Sequence, residues 1–208
     1  MGPPRHARLV HTDRNLIMRT GHSIRDLLDP ALGGDWNLSS EKEAMMVEIR
    51  LRDVPEQHVV SETGSVDQAA LEAWLPGAMA RVAERARAAG GPLGTADWPF
   101  LERPADPDEP LMITIYEGNP NEGPTQVEVC ATVPAGGDRT VPAHREAYAR
   151  VTKADVTSGE LGGVYEAIEK WIAANGLAVA RAPRETYWID FMAAADHDEV
   201  FDVAFPVS

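Results

Sequence analysis

The pattern of apolar and polar positions divides the chain into strands and two helices. Val47, Ile49 and Leu51 alternate with Glu48, Arg50 and Arg52, which predicts a strand with one buried face. Val54-Pro55 breaks it, and a second strand resumes over His58 to Thr63. Ser65-Val66-Asp67-Gln68 fits a capping box that opens a helix. That helix places Leu71, Trp74, Leu75, Ala78, Met79, Val82 and Ala86 at spacings of three and four, with Pro76 expected to kink or interrupt it. Gly90-Gly91-Pro92 stops it.

Strands are then predicted over Leu111 to Glu117, Thr125 to Val133 and Ala143 to Val151. A second helix buries Leu161, Val164, Tyr165, Ile168 and Ile172 and ends at Asn175-Gly176. Strands over Glu185 to Phe191 and Glu199 to Val207 close the chain. Strand, helix, strand, strand thus occurs twice, from Val47 to Val133 and from Ala143 to Val207. The predicted class is α+β: two pseudo-symmetric halves forming one antiparallel sheet, both helices on one face and a ligand cleft on the other.

In the last strand pair one residue is out of place. Glu185 lies mid-strand among aromatics, and period-two alternation puts it on one face with Tyr187, Ile189 and Phe191, while Arg184 faces the other way. A buried carboxylate is either a structural ion-pair partner or a recognition point for a cationic ligand. Trp74, Trp98, Phe100, Tyr116, Tyr165, Trp171, Tyr187, Trp188 and Phe191 could build an aromatic cage or simply core. Tyr165 sits in a buried helical stripe and reads as core; Trp171 lies off it; Trp98 and Phe100 sit on a Pro-rich loop, where recognition residues concentrate.

Composition narrows the alternatives. The net charge of −14 is read as excluding nucleic acid and anionic membranes as direct partners and as favouring cations. The single Cys130 excludes a disulfide framework, no apolar run reaches the length of a membrane span, and a cytoplasmic location is expected. The six histidines show no metal-ligand spacing, and no phosphate loop or nucleophile motif is present, so neither metal nor cofactor is expected. Residues 1–45 carry six basic and six acidic side chains and only a short helical pattern. Glu41-Lys42-Glu43-Ala44-Met45-Met46 can be encoded by a purine-rich ribosome-binding sequence ahead of a start codon. Residues 1–45 are therefore read as a mis-assigned start or a flexible extension, and 46–208 as the domain.

Gly159-Glu160-Leu161-Gly162-Gly163-Val164-Tyr165, Trp171-Ile172-Ala173-Ala174-Asn175-Gly176 and Pro183-Arg184-Glu185-Thr186-Tyr187 together resemble the GyrI-like (effector-binding) small-molecule domain. The Trp74-Leu75-Pro76-Gly77 turn carries the likeness into the first half, whereas the acidic loop Arg103 to Pro110 and the Gly118 to Pro124 hairpin depart from it. The resemblance implies a stand-alone member binding hydrophobic, cationic, polyaromatic compounds, for drug sequestration or antibiotic self-protection, as a monomer or weak homodimer. By the same resemblance Glu185 would be the central acid with Tyr187 beside it; Phe191, Trp98, Phe100, Tyr116, Trp74 and Trp171 are candidate ligand contacts from the reading of the aromatics alone. A second implied activity is hydrolysis of the cyclopropane ring of DNA-alkylating antibiotics, with Glu185 activating water and Tyr187 bonding the substrate carbonyl. A third is a protein-binding role, since relatives inhibit a topoisomerase.

Overall fold

The computed structural model describes residues 47–91, 93–94, 97–102 and 111–208. The expectations for residues 1–45 and for the acidic loop 103–110 lie outside the described residues. The strands are β1 (Ile49–Val54), β2 (Gln57–Val66), β3 (Met112–Tyr116), β4 (Thr125–Val133), β5 (Arg139–Val141), β6 (His144–Thr152), β7 (Arg184–Tyr187) and β8 (Glu199–Val207). The helices are α1 (Gln68–Ala88), α2 (Lys153–Thr157) and α3 (Leu161–Ala174).

All eight strands form one antiparallel sheet in the order β1-β6-β8-β7-β3-β4-β2-β5. The predicted α+β class and the two related halves are present. One half is β2-α1-β3-β4 and the other β6-α3-β7-β8, and they meet where β3 pairs with β7. The leading strand of each half crosses to the other: β1 flanks β6, and β5 flanks β2. Sequence alternation located β1 but assigned it to the wrong half, because a strand's period says nothing about its partner.

Both helices pack on one face of the sheet. α1 buries Leu71, Leu75, Ala78, Val82 and Ala86 over Val60, Val127, Val129 and Ala131. α3 buries Val164, Ile168 and Ile172 over Ala147, Ala149, Val203 and Phe205. Each such large aliphatic side chain, fully buried, stabilises the fold by about 1.5–3 kcal/mol.

Several local expectations are corrected. The N-cap of α1 is Asp67, whose carboxylate accepts from the Ala70 N–H, while Ser65 still belongs to β2; the box centred on Ser65 does not form. The helix runs through Pro76, which is exposed, so water can satisfy the backbone group that the missing N–H leaves free. The short strand β5 and the one-turn helix α2, closed by a Thr152–Asp155 capping box, were too short to show a period. α3 ends as predicted: Gly176 takes φ +69°, and the Leu177 N–H bonds back to the Ile172 carbonyl at 3.1 Å.

β7 is shorter than predicted, ending at Tyr187. Beyond Trp188 the chain leaves the sheet, and an Asp190 side chain accepts from the Met192 N–H in a turn. Ile189 is 37% exposed and Phe191 packs against the second cluster, under the Lys153 ammonium. The shared face inferred for Glu185, Tyr187, Ile189 and Phe191 therefore stops at Tyr187.

Candidate functional site

β7 is a central strand, paired with β3 on one side and β8 on the other. Glu185 stands opposite Thr114 on β3 and Val203 on β8, at the seam between the two apolar clusters. It points to the helix-bearing face, where Tyr165 of α3 reaches it, and not to the opposite face on which the sequence placed the ligand cleft; period two fixes which side chains share a face but not which face the helices cover. Its side chain is buried, with 2% of the residue exposed.

Three tyrosine hydroxyls from three elements surround the carboxylate. Tyr116 on β3 donates to Oε2 at 2.7 Å, Tyr165 on α3 donates to Oε1 at 3.0 Å, and Tyr187 on β7 donates to Oε2 in a short contact. Among the described residues no lysine, arginine or histidine bonds Glu185. Arg184 cannot, because its neighbouring position sends it through the sheet to the opposite face. Burial pushes Glu185 above the ordinary carboxylate range, and the bonds from Tyr187, Tyr116 and Tyr165 offset only part of that. Burial, reinforced by the facing carboxylate, drives all three phenols well above their ordinary value, so they act as neutral donors. The Thr114 hydroxyl, fully buried on the adjoining strand, has no hydrogen-bond partner.

The predicted site residues divide by face. Glu185, Tyr187 and Tyr116 come together as described. Tyr165, assigned to the core from its helical spacing, has both roles: its ring meets Phe205 edge-on at 5.8 Å while its hydroxyl reaches Glu185. Trp74 lies over β2, against Gly64, and Trp171 is half-buried on α3 against the second cluster. Trp98 and Phe100 are on the other side of the sheet. They pack edge-to-face at 5.7 Å over Leu101, Leu111 and Trp188, with the Trp98 indole bonded to Thr132. They do not join Glu185. Thr114 was not singled out from sequence, since a threonine in a strand carries no distinguishing signal.

The opposite face holds a charged network. Arg52 donates to Glu146 at 2.7 Å and to Asp202, and its guanidinium stacks over Tyr148 at 4.0 Å. Burial raises Glu146, but the His144 bond and the charges of Arg52 and Arg184 outweigh it and hold the group at about 2. Burial raises Asp202 to about 6 despite Arg52. Among the described residues no group of acidic, histidine or cysteine side chains has a metal-site arrangement, and no helix is long and apolar enough to cross a membrane.

Comparison with known proteins establishes the architecture. The crystal structure of the EcmrR C-terminal domain aligns over 79% of this chain and 99% of its own, at 21% identity and a TM-score of 0.59. EcmrR in the EcmrR–DNA complex of EcmrR-RPo aligns over 81% of this chain at 19% identity and a TM-score of 0.62. The α+β fold of this chain is therefore that of the EcmrR C-terminal domain. An uncharacterized conserved protein from Listeria innocua aligns over 77% of this chain and 92% of its own, at 14% identity and a TM-score of 0.50. No protein-family profile and no curated protein matches the sequence.

One expectation is overturned by these neighbours. Net negative charge was read as excluding nucleic acid, yet a protein of this fold has been solved in a complex with DNA. This chain spans 60% of the EcmrR chain in that complex. A summed charge cannot report what an adjoining segment or a local basic patch contributes, so the exclusion does not stand.

Proposed function

We propose that the protein binds hydrophobic, cationic, polyaromatic small molecules on the helix-bearing face of the sheet, with Glu185 as the charge complement. The observation that carries this reading is a fully buried carboxylate whose bonded partners are all neutral phenols. A carboxylate kept for structure alone is ordinarily paired with a cation, since an uncompensated buried charge is costly. The phenols solvate the carboxylate and leave its negative charge without a cation. A planar cation reaching this face displaces Tyr165 or Tyr187, both half-buried, and stacks on their rings. The bound compound is then either held away from its target or read out by a larger assembly. EcmrR, solved with DNA, represents the second setting, and a stand-alone sequestering protein would represent the first.

The test is a fluorescence titration with a planar cationic dye and a neutral polyaromatic of similar size, against wild type and Glu185→Gln. At roughly 5 Å and an effective dielectric of about 20, a unit charge pair is worth about 3 kcal/mol, on the order of 100-fold in affinity. Glu185→Gln is expected to lose that factor for the cation and to keep the neutral compound. Equal cation affinity in both proteins would return Glu185 to a structural role. Incubation with a cyclopropane-bearing alkylator, followed by mass analysis for added water, reads out the hydrolase alternative in the same experiment.

A further inference from the structure

The residue before Glu185 poses the opposite electrostatic problem on the opposite face. Arg184 is 4% exposed, and among the described residues its guanidinium makes no hydrogen bond and no ion pair. Its Nε is buried with no partner. The carboxylate that acts on it most strongly, Glu146, has both oxygens engaged: Oε1 by Arg52 at 2.7 Å and Oε2 by His144 at 3.3 Å. Burial lowers the Arg184 pKa, Glu146 opposes this, and the charges of Arg181 and Arg139 add to it. Glu146 therefore acts on Arg184 through space only, and among the described residues no carboxylate accepts a hydrogen bond from its guanidinium.

Arg184 lines an open depression of about 540 Å³ on the face away from the helices. Its apolar wall is Ile115, Val141, Pro142 and Ala182. Of the charged groups around it, Arg139 and Glu128 neutralise one another through two bonds of 2.8 and 2.6 Å. That leaves Arg184 and the exposed Arg181 against the exposed Glu117 at the end of β3. In a chain of net charge −14, the side chains lining this concavity include three arginines, Arg139, Arg181 and Arg184, against the two carboxylates Glu117 and Glu128.

We infer that this depression is a second ligand site, specific for a small organic carboxylate whose apolar body rests on Ile115, Val141, Pro142 and Ala182 while Arg184 receives the anion. The guanidinium fork matches a planar carboxylate, and Arg181 at the mouth adds attraction. The single surplus charge, with Glu117 nearby, fits a mono-anion better than a phosphate dianion. The strand β7 would then serve two sites of opposite preference through consecutive residues. This site does not depend on the reading of Glu185.

Amide ¹H–¹⁵N spectra of the full chain provide the test, with benzoate as probe, benzamide as its neutral isostere and ionic strength matched with sodium chloride. Benzoate is expected to shift the amides of Val141, Ala182 and Arg184 and to leave those of Leu161 to Ala174 in place. Benzamide should bind at least about tenfold more weakly, the scale of one charge-assisted hydrogen bond. Arg184→Met should abolish benzoate binding. Arg184→Lys keeps the charge without the fork and should weaken binding by about tenfold; it serves as the decisive variant if the Arg184→Met spectrum shows an unfolded chain. The assignment is overturned by equal binding of benzoate and benzamide, by benzoate binding that survives in Arg184→Met, by a lysine variant with wild-type affinity, or by no shift at saturating benzoate.

Discussion

Replacing Asp202 by asparagine should stabilise the protein at neutral pH. Asp202 on β8 is fully buried; one oxygen accepts from Arg52 and the other has no partner. Burial, helped by the repulsion of Glu146 and opposed by Arg52, lifts its pKa to about 6 from an ordinary 3.8. The folded state therefore holds a proton that the unfolded chain releases between those values. Stability falls as pH rises through that window and is flat above it. At 1.36 kcal/mol per pH unit the loss is about 3 kcal/mol. Asparagine resembles the protonated acid, keeps an oxygen for Arg52 and does not titrate, so the variant should escape the loss. Arg52 remains paired with Glu146, whose low pKa contributes stability that is gained between about 2 and 4.5 and is present in both proteins. The assay is urea unfolding of both proteins from pH 4 to 8, taking the difference in unfolding free energy so that slopes from other groups cancel. The two curves should coincide near pH 4 and separate by about 3 kcal/mol above pH 7. A variant less stable than wild type at pH 7.5, or a difference that does not change with pH, would refute the reasoning, because either result means the ion pair outweighs the burial of the charge.

Two further changes probe the helix-bearing face. Tyr165→Phe removes the donor to Glu185 Oε1, a bond to a charged group worth about 1.5–3 kcal/mol. Because that bond favours the ionised acid, the destabilisation measured by urea unfolding should be larger at pH 8 than at pH 5. A pH-independent cost would show that the hydroxyl does not report on the Glu185 charge. Gly64→Val would place a Cβ 2.8 Å from the Trp74 indole, closer than such atoms approach, and should cost about 1–3 kcal/mol as the ring is forced aside. An unchanged unfolding midpoint would mean that Trp74 is free to move, and that its contact with β2 does not fix α1.

The amino-acid sequence by itself determined the elements and the chemistry they carry. Alternation in Val127-Glu128-Val129 and the three-four spacing of Val164, Ile168 and Ile172 follow from burying one face of a strand or helix, and such periods survive without knowledge of partners. The same local rule placed Glu185 and Arg184 on opposite faces and marked the carboxylate as unusual. Period could not show that β7 ends at Tyr187, since the turn at Asp190 depends on side-chain bonding rather than on hydropathy.

Only the tertiary structure decided who meets whom. Tyr116, Tyr165 and Tyr187 converge on one carboxylate from positions up to 69 residues from it, and nothing in the helical stripe of Tyr165 announces where its hydroxyl ends. The exchange of β1 and β5 between halves, and the removal of Trp98 and Phe100 to the far face, are products of long-range pairing. The partnerless state of Arg184 is of the same kind. It follows from Arg52, 94 residues before Glu146, and His144 having taken the carboxylate oxygens, so that Glu146 reaches Arg184 by charge and not by a hydrogen bond. Local spacing fixes the face a side chain presents, whereas hydrogen bonding and charge compensation are settled by three-dimensional neighbours, and here they left a carboxylate bonded only by phenols on one side of a strand and a guanidinium with no hydrogen bond among the described residues on the other.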